Sequence, residues 1–320
     1  MLKSNPFHIL QIGHPYAIVS HGDFMKKQIQ GSIYLLIATV IWGSTFIAQS
    51  VGMDLIEPFT FQAVRCTLAV PFLCLVIWYF DRTKVKSVSY VRQWKNSKLW
   101  KAGLVCGIAL YIAAGLQQVG LVYTSAGKAG FITAMYIVLV PVLGLVLGKT
   151  PSLACWISVA VAAVGLYLLS CVGASTINFG DLCLIGCALF YAVQITLVDR
   201  LAPDLDGLRL NCIQCLVCAA LSAVTMFLLE DPQWDLILQC WLPICYAGIL
   251  SMGVAYSLQI LGQQKLDPTP ASLIMSLESV FAAVCGWLLL NETMTSPEFT
   301  GCILVFGAVI LSQLPTKKKA

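Results

Sequence analysis

Charge is what this chain has least of. It holds 19 lysines and arginines and 15 aspartates and glutamates in 320 residues, 11% charged against 59% hydrophobic, with a mean hydropathy of +0.85. Soluble domains carry about 25% charged residues. A chain of this length cannot hide so much apolar surface in one water-soluble core, so lipid must solvate most of it. Histidine is nearly missing too. His8, His14 and His21 all precede the first long apolar run, which leaves no imidazole for a site inside the apolar segments. No Walker motif, glycine-rich dinucleotide loop, zinc spacing or Ser-His-Asp set occurs. The expectation is therefore no catalytic residue, no metal and no cofactor. The net charge of +4 resides in connecting segments and does not suggest nucleic acid.

The 14 cysteines lie almost entirely within apolar runs, where thiols act as small hydrophobes rather than a disulfide framework. Cys212, Cys215 and Cys218 form a C-x-x-C-x-x-C run that shares one helix face. Close helix packing accounts for it better than a metal does. No signal peptide is visible in residues 1–24, because proline and histidine interrupt any apolar core. Met25-Lys26-Lys27 directly precedes the first apolar run. Residues 1–29 are expected to be a tail, with Met25 as the true start or residues 1–24 disordered.

What is present is a series of ten apolar segments of membrane-crossing length. They cover 31–51, 58–80, 101–122, 126–148, 152–171, 178–199, 207–229, 242–264, 269–290 and 297–315, punctuated by Glu57-Pro58, Thr150-Pro151, Asp267-Pro268 and Ser296-Pro297. With the N-terminus inside, basic residues collect in the inner connections: Arg82 to Lys101, Lys149, Arg200, Arg209, Lys265 and the tail Lys317-Lys318-Lys319. The outer connections carry acidic residues or none. Arg65 and Lys128 break the pattern. This asymmetry puts both termini in the cytoplasm.

The second half repeats the first. Shifted by 142 positions, residues 113–170 give thirteen identities, including Gln117 with Gln259, Gly144 with Gly286 and Gly165 with Gly307. Chance in so apolar a composition gives about five. A weaker correspondence at 149 positions relates Gln62, Arg65 and Cys66 to Asn211, Gln214 and Cys215. Five spans per half make the two repeats, 30–172 and 177–315, antiparallel. The fold expected is an all-α polytopic membrane protein of ten transmembrane helices in two inverted five-helix repeats, the architecture of alternating-access transporters.

Three motifs carry a family resemblance. They are Trp42-Gly43-Ser44-Thr45-Phe46 in the first span, Thr124-Ser125-Ala126-Gly127-Lys128-Ala129-Gly130-Phe131-Ile132-Thr133 opening the fourth, and the run from Ser276-Leu277-Glu278-Ser279 to Asn291-Glu292 in the ninth. Over residues 30–314 the chain resembles the EamA family of the drug/metabolite transporter superfamily. The resemblance implies ten helices, two EamA repeats and movement of small metabolites, often outward, with amino acids and their derivatives among the cargo. The family usually has proline after the ninth-span glutamate, where this chain has Ser279.

Polar groups inside the spans are the candidates for function, because a central charge costs about 2.5–3.5 kcal/mol on insertion scales. Glu278 lies at the midpoint of the ninth span and could bind an ammonium or carry a proton. Its repeat partner is Tyr136. Arg65 lies seven residues into the second span, roughly 10 Å below the outer surface; it could bind a carboxylate, pair with Glu278, or snorkel outward. Gln194, Trp42, Gln62, Gln214 and Asn211 could line the same space. Gln117 and Gln259, equivalent but at opposite depths, are candidate gate residues, though interhelical hydrogen bonding accounts for them better. Pro71, Pro141 and Pro243 are candidate bends.

The leading reading is a secondary transporter, an exporter of a small metabolite, in the bacterial inner membrane, acting as monomer or homodimer. The alternative is a proton-coupled multidrug exporter. A membrane enzyme would need an acidic, histidine or arginine cluster at one face. A structural subunit would need neither Glu278 nor inverted repeats.

Overall fold

The computed structural model describes residues 21–83, 93–170, 178–289 and 295–313, apart from the side chains of residues 21–24, 170 and 289. The expectations for residues 1–20, for Lys84, Lys86 and Arg92, for the connection 172–177, for Asn291 and Glu292, and for the basic tail lie outside these residues.

The described elements are all helical. They are α1 (His21–Met53), α2 (Pro58–Thr83), α3 (Ser97–Tyr123), α4 (Ala126–Ala134), α5 (Tyr136–Val146), α6 (Leu153–Ser170), α7 (Phe179–Leu201), α8 (Gly207–Leu229), α9 (Trp234–Gln239), α10 (Trp241–Gln263), α11 (Pro268–Met275), α12 (Leu277–Leu289) and α13 (Ser296–Gln313). Counting α4 with α5 and α11 with α12, nine helices among the described residues are long and apolar enough to cross a membrane. The fifth expected span is helical as α6, but its apolar stretch Leu153–Leu169 is shorter than the other nine. α1 begins ten residues before the first expected span, so His21 to Ile29, expected as tail, form its opening turns.

Local signals set the ends. Pro58 and Pro268 occupy first helical positions, where a missing N–H costs nothing. Asn178 and Asp181 form a reciprocal capping box on α7, each side chain accepting from the other's backbone N–H at 2.9 Å. Asp206 caps α8 by accepting from the Arg209 N–H.

Polarity is inverted relative to a soluble protein. Val146 is 79% exposed and Leu75 65%, while Gln62, Gln118, Gln194, Asn211 and Gln214 are completely buried. Hydrocarbon solvates the first set and offers nothing to the second, which must find partners inside.

α2 and α8 are equivalent helices of the two repeats, and they run antiparallel. At one end Glu230, closing α8, accepts from the Phe59 and Thr60 N–H groups and the Thr60 hydroxyl at the start of α2. At the other end Asp81, near the close of α2, pairs with Arg209 at the start of α8. Thr60 and Arg209 stand 149 residues apart, as do Asp81 and Glu230. The two clasps are therefore repeat-related. Lys128, an exception to the charge asymmetry, pairs with Asp181 of α7 at 2.7 Å.

Both pseudo-equivalent spans of the resemblance motifs are broken mid-way. The α4–α5 break falls at Met135 and the α11–α12 break at Ser276, neither at a proline. At each, i→i+3 bonds tighten the backbone: Val138 N–H to Met135 O at 3.0 Å and Ser279 N–H to Ser276 O at 3.2 Å. The Ser276 hydroxyl also donates to the Leu273 carbonyl, competing with the helical ladder. Pro71 and Pro141, candidate bends, sit inside continuous helical segments. Pro243 precedes a ten-residue π-helical stretch, Tyr246–Ala255, within α10.

Candidate functional site

Between the two repeats lies a cavity with about 470 Å³ of empty space, its open end included. Its wall is built from Trp42, Phe46 and Gln49 of α1, Arg65 of α2, Gln117 of α3, Tyr136 of α5, Tyr191 and Ile195 of α7, Ser251, Tyr256 and Gln259 of α10, Met275 of α11 and Glu278 of α12.

The two helix breaks place the central pair. Tyr136 is the first residue of α5 and Glu278 the second of α12, each just past its break. The Tyr136 hydroxyl donates to Glu278 Oε1 at 3.1 Å across 142 residues, the repeat spacing itself. Residues equivalent under an inverted repeat can bond directly only where they meet on its axis. The Tyr136–Glu278 bond therefore marks the pseudo-twofold axis, and the cavity is built around it. Ser279, standing where the family usually has proline, donates to the Gly130 carbonyl at 2.8 Å and ties α12 to α4. The span is broken without the proline.

Arg65 does not snorkel. It is 2% exposed and faces the cavity, with its guanidinium 5.6 Å from the centre of the Phe61 ring. Among the described residues it has no carboxylate within ion-pair distance, and Arg65 Nε has no hydrogen-bond partner. Arg65 and Glu278 thus share one wall without pairing. Two other wall atoms are unpartnered, the donor Trp42 Nε1 and the acceptor Gln259 Oε1. Trp42 packs edge-on to Tyr256 at 5.0 Å, and the Tyr256 and Tyr191 hydroxyls are 3.0 Å apart.

Six of the residues expected from sequence meet on this wall: Trp42, Arg65, Gln117, Tyr136, Gln259 and Glu278. Gln117 and Gln259 both line this one cavity. Gln62, Gln194, Asn211 and Gln214 are not on the wall; the last three are taken up in a chain of side-chain hydrogen bonds. Gln194 accepts from Gln259 at 3.0 Å and donates to Gln214, which donates to Asn211 at 2.8 Å. Asn211 in turn donates to the Met252 and Gly253 carbonyls of the π-helical stretch and to the Ser257 hydroxyl. Gln62 donates to the Tyr111 carbonyl.

Sequence reasoning missed Phe46, Gln49, Tyr191, Ile195, Ser251, Tyr256 and Met275. A signal existed for two of them. The 149-residue spacing carries Trp42 onto Tyr191 and Phe46 onto Ile195. Tyr256 and Ser251 match Ala114 and Ala109 in the first repeat, so symmetry could not reveal them.

Comparison with known proteins bears on the fold and the family. A solved crystal structure, 19% identical, covers 90% of this chain and 97% of its own with a TM-score of 0.73, which establishes the shared fold. An uncharacterized transporter of Archaeoglobus fulgidus is 29% identical over 90% of this chain and 87% of its own length. The uncharacterized transporter YoaV of Bacillus subtilis is 22% identical over 87% of this chain and 94% of its own. The EamA-like transporter family matches twice, over residues 29–171 and 178–314, one match per repeat. A duplicated multi-pass helical membrane protein with a polar cavity on its repeat axis, matched in both halves, belongs to the EamA-like transporter family.

Proposed function

We propose that this chain is a secondary transporter of ten spans that exports a small metabolite, such as an amino acid or a derivative, from the cytoplasm of a bacterium across the inner membrane by alternating access. The observation that carries the reading is Arg65, a buried cation on the cavity wall with no anionic partner among the described residues. An uncompensated buried charge costs several kcal/mol. A cargo carboxylate would offset it, while Glu278 faces the same space and can hold an ammonium or a proton.

The aromatic wall of Trp42, Tyr136, Tyr191 and Tyr256 favours a cargo with an apolar part. The same wall supports a second reading, proton-coupled export of lipophilic cations, but there Arg65 would repel the cargo. Both repeats are present in one chain, so a monomer suffices for the cavity.

Reconstitution in proteoliposomes tests the reading. Movement of labelled amino acids, with lipophilic cationic dyes in parallel, is measured with and without a pH gradient. Glu278→Gln is expected to abolish gradient-driven movement while expression persists. Full gradient-driven activity in that variant would remove Glu278 from the mechanism, and dye movement without amino-acid movement would select the second reading.

A further inference from the structure

The seam between α2 and α8 carries thiols that the cavity does not use. The sulfurs of Cys66 and Cys218 lie 3.5 Å apart, and both residues are completely buried. Farther along the same seam Cys74 and Cys212 face each other at 3.8 Å. All four are free thiols. Because α2 belongs to the first repeat and α8 to the second, each contact joins the two halves of the molecule, 152 residues apart for Cys66 and Cys218.

The pairing is held by structure around it. The clasps at Asp81–Arg209 and Thr60–Glu230 fix the register of the two helices at both ends. The Gln62 amide donates to Cys218 Sγ at 3.5 Å and fixes that sulfur's position. An S–S bond is about 2.05 Å long, so forming it requires the two sulfurs to close about 1.5 Å.

We propose that Cys66 and Cys218 form a dithiol site that hydrogen peroxide oxidises to a disulfide, covalently joining the two repeats. Hydrogen peroxide is small and uncharged, which suits it to a site within the membrane spans. One thiol loses its proton and its sulfur attacks a peroxide oxygen. The O–O bond breaks, the leaving hydroxide takes that proton as water, and a sulfenic acid remains. The second sulfur attacks the sulfenic sulfur, the S–S bond forms, the S–O bond breaks, and the hydroxyl leaves with the second proton as water. Two thiols and one peroxide become one disulfide and two waters. The linkage does not depend on the transport reading, although its consequence does: halves bolted together at α2 and α8 lose freedom to rock against each other.

The test uses the full chain in lipid nanodiscs, reduced, then exposed to hydrogen peroxide, alkylated under denaturing conditions and mapped by mass spectrometry. The expected product is a linked peptide pair containing Cys66 and Cys218, lighter by two hydrogens than its parts and restored to free thiols by dithiothreitol. Cys66→Ser and Cys66→Ala each abolish it, whereas Cys106→Ala, which removes an unpaired buried thiol of α3, leaves it intact. Recovery of Cys66 and Cys218 as alkylated free thiols after peroxide, or their separate conversion to sulfinic acids, overturns the proposal.

Discussion

Two buried arginines in this molecule have opposite reasons to exist, and substitution separates them. Arg209 is held by Asp81 and Asp206, at 2.8 Å from the latter, and its guanidinium lies 5.5 Å from the centre of the Trp94 ring. Arg209→Met leaves both carboxylates without their cation. The cost is expected to be about 2 kcal/mol, less than for a fully buried pair because Asp81 and Asp206 keep some contact with solvent. Arg65 has no such partner, so Arg65→Gln removes a desolvated charge and should leave thermal stability unchanged or raised. Melting curves of the two purified variants check both expectations. Equal losses of stability would mean that Arg65 is structural.

At the scale of elements, the close approach of α1 to α12 is what brings Trp42 beside Glu278. A Cβ placed on Gly43 would lie 2.5 Å from the Phe281 Cβ and 2.8 Å from the Glu278 carbonyl oxygen. Such contact with backbone cannot be relieved by a rotamer change, so Gly43→Val must push α1 away from α12. Overpacking of this kind costs about 1–3 kcal/mol. The variant should melt lower and should lose cavity function even though no wall side chain has changed. An unaltered melting curve would contradict the packing. The span ends of most helices were legible in the sequence, because proline and capping residues stand at the turns and hydrocarbon length bounds each run. The breaks at Met135 and Ser276 were not. They arise from i→i+3 tightening and, at Ser276, from a hydroxyl competing for a carbonyl, and neither leaves a proline behind. The π-helical stretch of α10 was equally silent, since its first-repeat counterpart in α3 is an ordinary α-helix. The cavity was half legible for a related reason. Charges and amides inside spans mark themselves by cost, so Arg65, Gln117, Gln259 and Glu278 could be named in advance, whereas Tyr256 and Met275 look like any apolar core. The same cost misled for Gln194, Asn211 and Gln214, whose amides are satisfied by one another.

At the scale of the molecule, two antiparallel repeats build one cavity around a bond between equivalent residues, Tyr136 and Glu278. The scaffold is symmetric and its charges are not: Arg65 is matched by Gln214 and Glu278 by a tyrosine. Under the proposed function, recognition of a charged cargo rests on that asymmetry. A thermal-shift screen of the detergent-solubilised chain against metabolites tests this most directly, because a ligand that binds only the folded state raises its melting temperature; at a hundredfold excess over Kd the gain is about 2.7 kcal/mol. The account predicts that stabilising compounds carry a carboxylate, and that Arg65→Gln, folded and at least as stable alone, loses the shift they produce. Stabilisation only by compounds lacking an anionic group, or an undiminished shift in Arg65→Gln, would contradict it.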